Sequence, residues 1–462
     1  MKAFTMKILE GIKRGESMRE NTPTAGNISG IQVMSLVLTA GRKPKAWFRA
    51  WFRVFFQVAV AVMMLCGGLP QMVTPQTAPF QLQAQDWPAW RGPHGDGSVE
   101  SGNWDPEALR GGADVLWRAS VGQGFSGLTV RGNRVYTAGN DRNQDTVYAF
   151  NAANGSEVWS YSFSASRGSY PGPRAAPVLD GQYLYFLNRH GVLVCLRAHN
   201  GEEVWKRDLT RDFNAQSPGW GFAGAPVVAG DKLIINAGRA GMALDKNSGE
   251  LLWSNGGGRG GYAAPVVFDH NRREYAALFA FRDLVIVDIR NGEEIASYSW
   301  QTGSDVNAAD PLVKNNLIFI TSGYGKGGVL LELTGRNLRQ VWNKNNLASH
   351  FPSGVIVDDH LYSIDGDAGR RGGTLRCVHI ESGRERWSRN VGFSSLIAVD
   401  DRLIVVNEQG DVIIIEANPD RYREVSRANG VVDARVWTPP SFSNGRLFLR
   451  NDRGEVIAID LR

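Results

Sequence analysis

The sequence predicts an all-β fold, an eight-bladed β-propeller built from four-stranded antiparallel blades. A phrase that ends in Trp returns about every 45 residues. Short apolar strands separated by polar turns such as Asp-Gly and Asn-Gly precede each copy. Outside an N-terminal leader, no stretch keeps the 3.6-residue apolar period of a helix. Four strands in every unit of this length are typical of a propeller blade.

The Trp phrase is the clearest mark of each blade. In most copies Gly stands four residues before Trp, where it permits a tight turn before the last strand. An indole at this position is expected to pack between adjacent blades. One looser copy carries Ala296 in place of Trp, and the copy that ends at Trp342 has its glycine displaced to Gly335. The expected structural docking residues are Trp117, Trp159, Trp205, Trp253, Trp342 and Trp387.

The two ends of the repeat predict how the ring closes. The eighth unit has three strands and stops at the chain end, whereas residues 114–117 form a Trp strand with no blade before it. Because an open propeller leaves exposed sheet edges that invite association, we expect this N-terminal strand to complete the last blade. The propeller then covers residues 114–462 and is expected to be monomeric. A short N-terminal segment, residues 85–113, leads into it.

Residues 1–84 have the parts of an export leader. Basic residues precede a twelve-residue run, Val54–Leu65, that is apolar except for Gln57. As a helix this run would rise about 18 Å, well short of the roughly 30 Å hydrocarbon core of a bilayer. A secretory signal peptide followed by a linker is therefore favoured, which places the ring in the periplasm or cell envelope. Membrane contact is expected only through a leader that stays uncleaved or is lipidated at Cys66.

Charge is divided between the leader and the rest of the chain. The sequence pI is about 9.1, but ten basic and three acidic residues give the leader a net charge of +7. The remaining 378 residues hold 41 basic and 43 acidic residues, a net charge of −2. A nearly neutral ring argues against nucleic acid as a partner.

The repeat register also bears on the cysteines. Cys195 and Cys377 occupy the same position in the second and sixth blades, which lie across the ring from each other. A disulfide needs Cα atoms within about 7 Å. Two free, buried thiols are therefore expected.

The repeat resembles that of a known family. The pattern Ala-x-Asp-x-x-x-Gly-x-x-x-Trp, complete at Ala243, Asp245, Gly249 and Trp253, is similar to the tryptophan-docking repeat of quinoprotein (PQQ) dehydrogenase-like β-propellers. The resemblance covers about three quarters of the chain. That family includes PQQ dehydrogenases and also cofactor-free scaffolds such as the propeller lipoprotein of the outer-membrane β-barrel assembly machine. Residues 86–97 resemble the opening of exported, uncharacterised proteins with PQQ-like repeats.

The resemblance implies little about activity. Quinoprotein dehydrogenases use a catalytic Asp, a Ca²⁺ site of Glu, Asn and Asp oxygens, an Arg and a Trp beneath the quinone, and the alcohol dehydrogenases add a vicinal cysteine pair. This chain has no Cys-Cys pair and its interblade loops are short. We therefore assign no catalytic residue and no cofactor, and PQQ with Ca²⁺ remains an alternative.

Loops that lead into the innermost strands face the axial funnel and hold the ligand-binding candidates. Arginine there suits an anionic group, Trp220 offers a stacking face, and three oxygen-bearing side chains are weak candidates for Ca²⁺, namely Asp305, Asn307 and Asp310. A polar, water-filled funnel is the structural alternative. The other candidates are Arg174, Arg259, Tyr262, His350 and Trp437.

Three functions follow from these observations. The favoured one is an exported binding or scaffold module without catalysis of its own, with a protein partner in cell-envelope assembly. A minimal PQQ-dependent oxidoreductase is the alternative. A glycan-binding propeller is the third, because Trp and Tyr occur in the funnel loops; a small molecule or a glycan would then occupy the funnel.

Overall fold

The computed structural model describes residues 85–255, 257–370 and 372–462. They form eight sheets with four antiparallel strands each, one of which gains a short fifth strand in parallel, so the predicted eight-bladed propeller is confirmed. Helix is confined, within these residues, to α1 (Leu209–Phe213), which lies between the second and third blades. None of the described helical structure is long and apolar enough to cross a bilayer. The expected leader, with its apolar run at Val54–Leu65 and with Cys66, lies outside the described residues.

The first four blades follow one another along the chain after two short strands, β1 (Ser98–Val99) and β2 (Asp114–Ser120). Blade 1 contains β3 (Thr129–Arg131), β4 (Arg134–Asp141), β5 (Gln144–Asn151) and β6 (Glu157–Ser164). Blade 2 contains β7 (Val178–Asp180), β8 (Tyr183–Leu187), β9 (Val192–Arg197) and β10 (Glu203–Asp208). Blade 3 contains β11 (Val227–Ala229), β12 (Lys232–Ile235), β13 (Met242–Asp245) and β14 (Leu251–Ser254). Blade 4 contains β15 (Val266–His270), β16 (Arg273–Phe279), β17 (Asp283–Asp288) and β18 (Glu294–Ser299).

The remaining blades complete the ring. Blade 5 contains β19 (Leu312–Lys314), β20 (Leu317–Ser322), β21 (Gly327–Thr334) and β22 (Asn337–Lys344). Blade 6 contains β23 (Val355–Val357), β24 (His360–Asp365), β25 (Thr374–His379) and β26 (Glu385–Asn390). Blade 7 contains β27 (Ser394–Val399), β28 (Arg402–Asn407), β29 (Val412–Glu416) and β30 (Glu424–Ala428). Blade 8 contains β31 (Ser441–Ser443), β32 (Arg446–Arg450), β33 (Glu455–Asp460) and, as its outermost strand, β2.

Ring closure follows the predicted route. Strand β2 pairs antiparallel with β33, with Trp117 opposite Ala458 and Ser120 opposite Glu455. The chain thus supplies the outermost strand of blade 8 before it builds blade 1. At the other side of this junction the Arg450 side chain of β32 is fully buried and donates to the backbone oxygens of Ser126 and Ala138. The first and last blades are therefore joined by backbone pairing and by a buried cation.

Each blade is buried on both faces, because each lies between two neighbours. In β8, Leu184 and Phe186 pack in the cluster shared with blade 1, whereas Tyr185 and Leu187 pack in the cluster shared with blade 3. All four side chains are buried. The middle strands therefore consist of continuous apolar residues, as expected for sheets covered on both sides.

The docking tryptophans tie each blade to the next. Trp117 Nε1 donates to the carbonyl oxygen of Ala152 at 3.0 Å, and its ring lies against Gly155, where a Cβ atom would stand 2.6 Å from the indole. Gly155 also has a φ of +71°, so both the backbone conformation and the space require glycine. The same indole-to-backbone bond to the following blade is made by Trp159, Trp205, Trp253, Trp342 and Trp387.

The first part of the lead-in segment, residues 85–99, borders the central channel. The backbone of Trp87 exchanges two hydrogen bonds with Val130 of β3, and Leu179 of β7 donates to the carbonyl oxygen of Pro88. The chain then returns as β1, which pairs in parallel with β27. Because β3, β7 and β27 are all innermost strands, these residues occupy the channel of the ring. The rest of the segment runs outward, since the carbonyl oxygen of Pro106 accepts from Ser426 Oγ on β30, the outermost strand of blade 7.

Cys195 lies in β9 and Cys377 in β25, and both are buried and unpaired. This outcome agrees with the expectation from the repeat register. Burial raises the pKa of Cys195 to about 12 and that of Cys377 to about 11, so both remain thiols that pack as small apolar groups.

Candidate functional site

A cavity of about 320 Å³ lies on the central axis. Most of its wall comes from loops that lead from the outermost strand of one blade to the innermost strand of the next, and Trp90 of the lead-in segment closes it on the channel side. Eight of its fifteen lining residues are Phe, Tyr or Trp. Five of the residues predicted from sequence are brought together here, namely Arg174, Trp220, Tyr262, His350 and Trp437.

The aromatic side chains contact one another around the mouth of the cavity. Trp437 stacks on Phe125 with ring centroids 5.7 Å apart and on Tyr170 at 6.1 Å. Tyr170 also meets the edge of Trp220 at 5.6 Å. Tyr170, Trp220 and Tyr324 are 45–47% exposed, although side chains of this size are usually covered. Their position at one opening indicates a surface suited to binding.

Arg174 is the lining side chain that carries a charge at neutral pH. Its guanidinium donates to the carbonyl oxygens of Gly172 and Tyr170, and it pairs with no carboxylate among the described residues. Burial, together with the positive charge of Arg189, lowers the pKa of Arg174 to about 10. Arg174 is therefore still protonated at neutral pH, and its charge lacks a partner within the cavity wall.

A buried arginine, Arg189, shapes the loop beside Arg174. The Arg189 guanidinium donates to the carbonyl oxygens of Arg167, Ser169 and Tyr170. These bonds hold residues 167–170 in the conformation that presents the Tyr170 ring to the cavity. Two guanidinium groups against the single carboxylate of Asp145 make this side of the cavity electropositive.

His350 lies in the opposite part of the lining and is neutral at pH 7. Burial lowers its pKa, against a smaller opposing effect from Asp367. Its Nδ1 accepts from the backbone N–H of Ala368, and its ring contacts Tyr324 at 4.6 Å. It therefore contributes an aromatic, uncharged surface.

Asp310 lies behind the cavity wall rather than in its lining. Its carboxylate accepts from Trp90 Nε1 at 2.7 Å, from Ser353 Oγ at 3.0 Å and from the backbone N–H of Ala264 at 2.7 Å. Arg91 Nε stands 4.0 Å from the same carboxylate. The Asp310 carboxylate thus anchors Trp90 and Arg91 of the lead-in segment, and its oxygens are bonded within the protein and do not line the cavity.

The other predicted residues are dispersed. Asp305 forms an ion pair with Arg282 at 3.0 Å. Asn307 is fully buried, and its amide nitrogen donates to backbone oxygens such as that of Trp300. Arg259 packs over the Phe281 ring at 5.7 Å. The three Ca²⁺ candidates therefore do not converge on one point.

Metal-binding groups do not assemble elsewhere either. Among the residues that the structure describes, no cluster of three or more His, Cys, Asp or Glu side chains is arranged to hold a metal ion. The wall of the cavity itself presents aromatic faces and one positive charge, and both can bind a ligand.

Five lining aromatic residues were not among the candidates from the sequence: Trp90, Phe125, Tyr170, Tyr324 and Phe351. Phe351 and Tyr170 lie in or directly before loops that the repeat register had placed at the funnel. Tyr324 occupies the turn between the second and third strands of blade 5, which faces the same opening. An aromatic residue in a loop between blades, or in a turn between the second and third strands of a blade, would have predicted these three lining residues.

Comparison with known proteins bears on both the family and the fold. The model of the family described as outer membrane protein assembly factor BamB matches residues 110–217, 143–389 and 371–462. The outer membrane protein assembly factor BamB of Shewanella oneidensis is 22% identical over 317 residues, which cover 63% of this chain and 72% of that protein.

Solved structures with the same fold include members of two functional groups. BamB from Moraxella catarrhalis superposes with a TM-score of 0.56 at 18% identity, covering 75% of this chain and 97% of that one. Quinohemoprotein alcohol dehydrogenase from Comamonas testosteroni superposes with a TM-score of 0.62 at 13% identity, covering 81% of this chain and 80% of that one. At these identities the likeness establishes the fold and leaves function to the site.

Proposed function

The chain belongs to the family described as outer membrane protein assembly factor BamB, and from that membership we propose that it is a non-catalytic binding and scaffold module in cell-envelope protein assembly. The family match across the propeller is the observation that carries the proposal. Its partner is a protein, and its place is the periplasm or the envelope. The export leader read from residues 1–84 supports that location.

The geometry supports a binding role over a catalytic one. The cavity wall holds a neutral His350, a protonated Arg174 and no carboxylate. The buried thiols and Asp310 are each enclosed in the protein. A ring that presents aromatic faces at one opening can bind a partner, and among the described residues His350 is hydrogen-bonded to a backbone N–H and to no nucleophilic side chain.

A PQQ-dependent oxidoreductase is the alternative, and the residues here do not fit that cofactor. Arg174 and Trp220 suit a flat anionic molecule, but the Ca²⁺ that accompanies PQQ requires several oxygen ligands. Asp305 is paired with Arg282, and Asn307 and Asp310 are bonded within the protein. No step is therefore assigned through a quinone.

Affinity capture tests the proposal. The exported form of the protein, tagged at its C-terminus, would be cross-linked in envelope preparations of its own organism. We expect recovery of an outer-membrane assembly component or a β-barrel client, with reduced recovery for Trp220→Ala and unchanged recovery for Arg336→Gln, whose exposed guanidinium pairs with Glu293 on the perimeter.

Two outcomes would contradict the proposal. One is the absence of any stable protein partner. The other is a saturable dye-linked dehydrogenase rate on addition of PQQ and Ca²⁺. Retention of glycans in place of proteins would favour the glycan-binding alternative, which relies on the same exposed aromatic side chains.

A further inference from the structure

We infer that the axial cavity binds the C-terminal end of a peptide, with the terminal carboxylate on Arg174 and an aromatic side chain against the exposed rings of Tyr170 and Trp220. This inference rests on the proposed function, since it takes the partner to be a protein. It adds which chemical group of that partner enters the cavity.

The first argument is charge. Arg174 is partly buried and Arg189 is buried, and the hydrogen bonds of both guanidinium groups go to backbone oxygens. The carboxylate of Asp145 acts on both electrostatically, but it can offset at most one of the two positive charges. A ligand carboxylate would balance the other, and Arg binds carboxylates in a planar, two-point arrangement.

The second argument is the surface around that charge. Tyr170 lies between Trp220 and Trp437, and its own carbonyl oxygen accepts from Arg174. Tyr170 therefore contacts both parts of the site: its carbonyl oxygen bonds to the Arg174 guanidinium, and its ring lies against the tryptophan rings. A ligand that fills both must carry its carboxylate next to a flat or large apolar group.

The third argument is the shape of the cavity. Trp90 closes it toward the channel, and the indole of Trp90 is held there by the buried carboxylate of Asp310. The lead-in segment fills the axis beyond this point. A polypeptide therefore cannot pass through the ring, whereas the end of a polypeptide can enter the cavity. At a C-terminal end the backbone carboxylate lies beside the last side chain.

Calorimetric titration with short acetylated peptides tests the assignment. The probes are Ala-Ala-Phe with a free carboxylate, the same peptide with a C-terminal amide, and an amidated peptide with an internal Asp-Phe pair. We expect the free acid to bind at least about tenfold more tightly than either amide, because the first amide lacks the carboxylate and the second carries it on the Asp side chain, away from the backbone position beside the last side chain. Arg174→Gln should remove this preference, and Arg336→Gln should retain it.

The comparison of acid and amide on the unaltered protein does not depend on any variant folding. Equal affinity for the acid and its amide would overturn the inference, as would tighter binding of the internal Asp-Phe peptide. Failure of all three peptides to bind, while a partner is still captured from envelope preparations, would overturn this inference and leave the proposed function standing. Trp220→Ala, at an exposed position, should weaken the free acid without altering thermal stability.

Discussion

Replacing Asp310 with Ala is expected to destabilise the ring by releasing the lead-in segment. The carboxylate accepts three hydrogen bonds and faces the guanidinium of Arg91, which is itself buried. Removing one partner of a buried ion pair costs about 3–5 kcal/mol, because the remaining charge stays buried without compensation. We expect a loss of this size in the free energy of unfolding.

The converse change, Arg91→Met, should cost a similar amount. Asp310 would keep its three hydrogen bonds but lose its counter-charge, and the backbone oxygens of Gly95, Asp96 and Gly354 would lose their donor, so a loss of about 3–5 kcal/mol is expected. Burial raises the pKa of Asp310 and lowers that of Arg91, which indicates that enclosing the charges is unfavourable for each. The double variant should therefore be more stable than the sum of the single losses predicts, with a coupling of about 1–3 kcal/mol.

Urea unfolding followed by tryptophan fluorescence measures these differences, and limited proteolysis reports release of residues 85–113. Asp305→Asn is the matched control, because Asp305 lies in the same loop but forms a partly exposed ion pair with Arg282, and Asn tolerates the left-handed backbone at this position. Its effect should stay within about 0.5 kcal/mol. The reasoning would be refuted by a loss below about 1 kcal/mol for Asp310→Ala, or by strictly additive losses in the double variant.

Three further predictions concern buried groups. Arg450→Ala should lower the free energy of unfolding by about 3–5 kcal/mol in the same urea assay, because it leaves backbone oxygens at the junction of blades 8 and 1 without a donor; a loss below about 1 kcal/mol would contradict this. Cys195 and Cys377, whose pKa values are raised to about 12 and about 11, should not react with a thiol reagent at pH 8 until the protein is denatured, and rapid labelling of the native ring would count against their burial. The pKa of His350 is lowered in the folded state, so the unfolded chain takes up the proton first and stability should fall as pH drops through about 6.5; His350→Phe should flatten this dependence between pH 7.5 and 5.5, and an unchanged slope would refute it.

The repeat made the fold predictable, because blades share one local pattern and contact only their neighbours. The position of Trp117 before the first blade was enough to predict ring closure. The contact between the docking Trp and glycine also explains the two irregular copies of the repeat. Ala296 stands where a docking Trp would be, so Gly335 in the next blade has no indole against it and nothing within 4 Å of a Cβ placed there. That glycine was therefore free to shift along the sequence.

The site was only partly predictable, because its decisive contacts are not repeated. The register placed the funnel loops correctly, yet it could not show which polar groups are already bonded. Asn307 donates to backbone oxygens more than twenty residues away, and Trp90 meets Asp310 across 220 residues. Such pairs do not recur with the repeat. From the sequence alone, Asp305, Asn307 and Asp310 could therefore form a cation site or could be bonded within the protein.

The lead-in segment links the fold to the candidate site, because it determines which groups the axis of the ring can hold. In a closed ring every innermost strand borders the channel. The channel can therefore hold any group that forms hydrogen bonds with the unpaired backbone N–H and C=O groups of these strands. Here the chain itself supplies that group, through β1 beside β27 and through Trp87 beside β3. Its anchoring uses Asp310, a funnel carboxylate that a metal ion would need, and its Trp90 becomes the base of the cavity. A ring filled in this way is closed at the channel side of its cavity, and the loops with their exposed aromatic side chains remain the part of the axis that a ligand can reach.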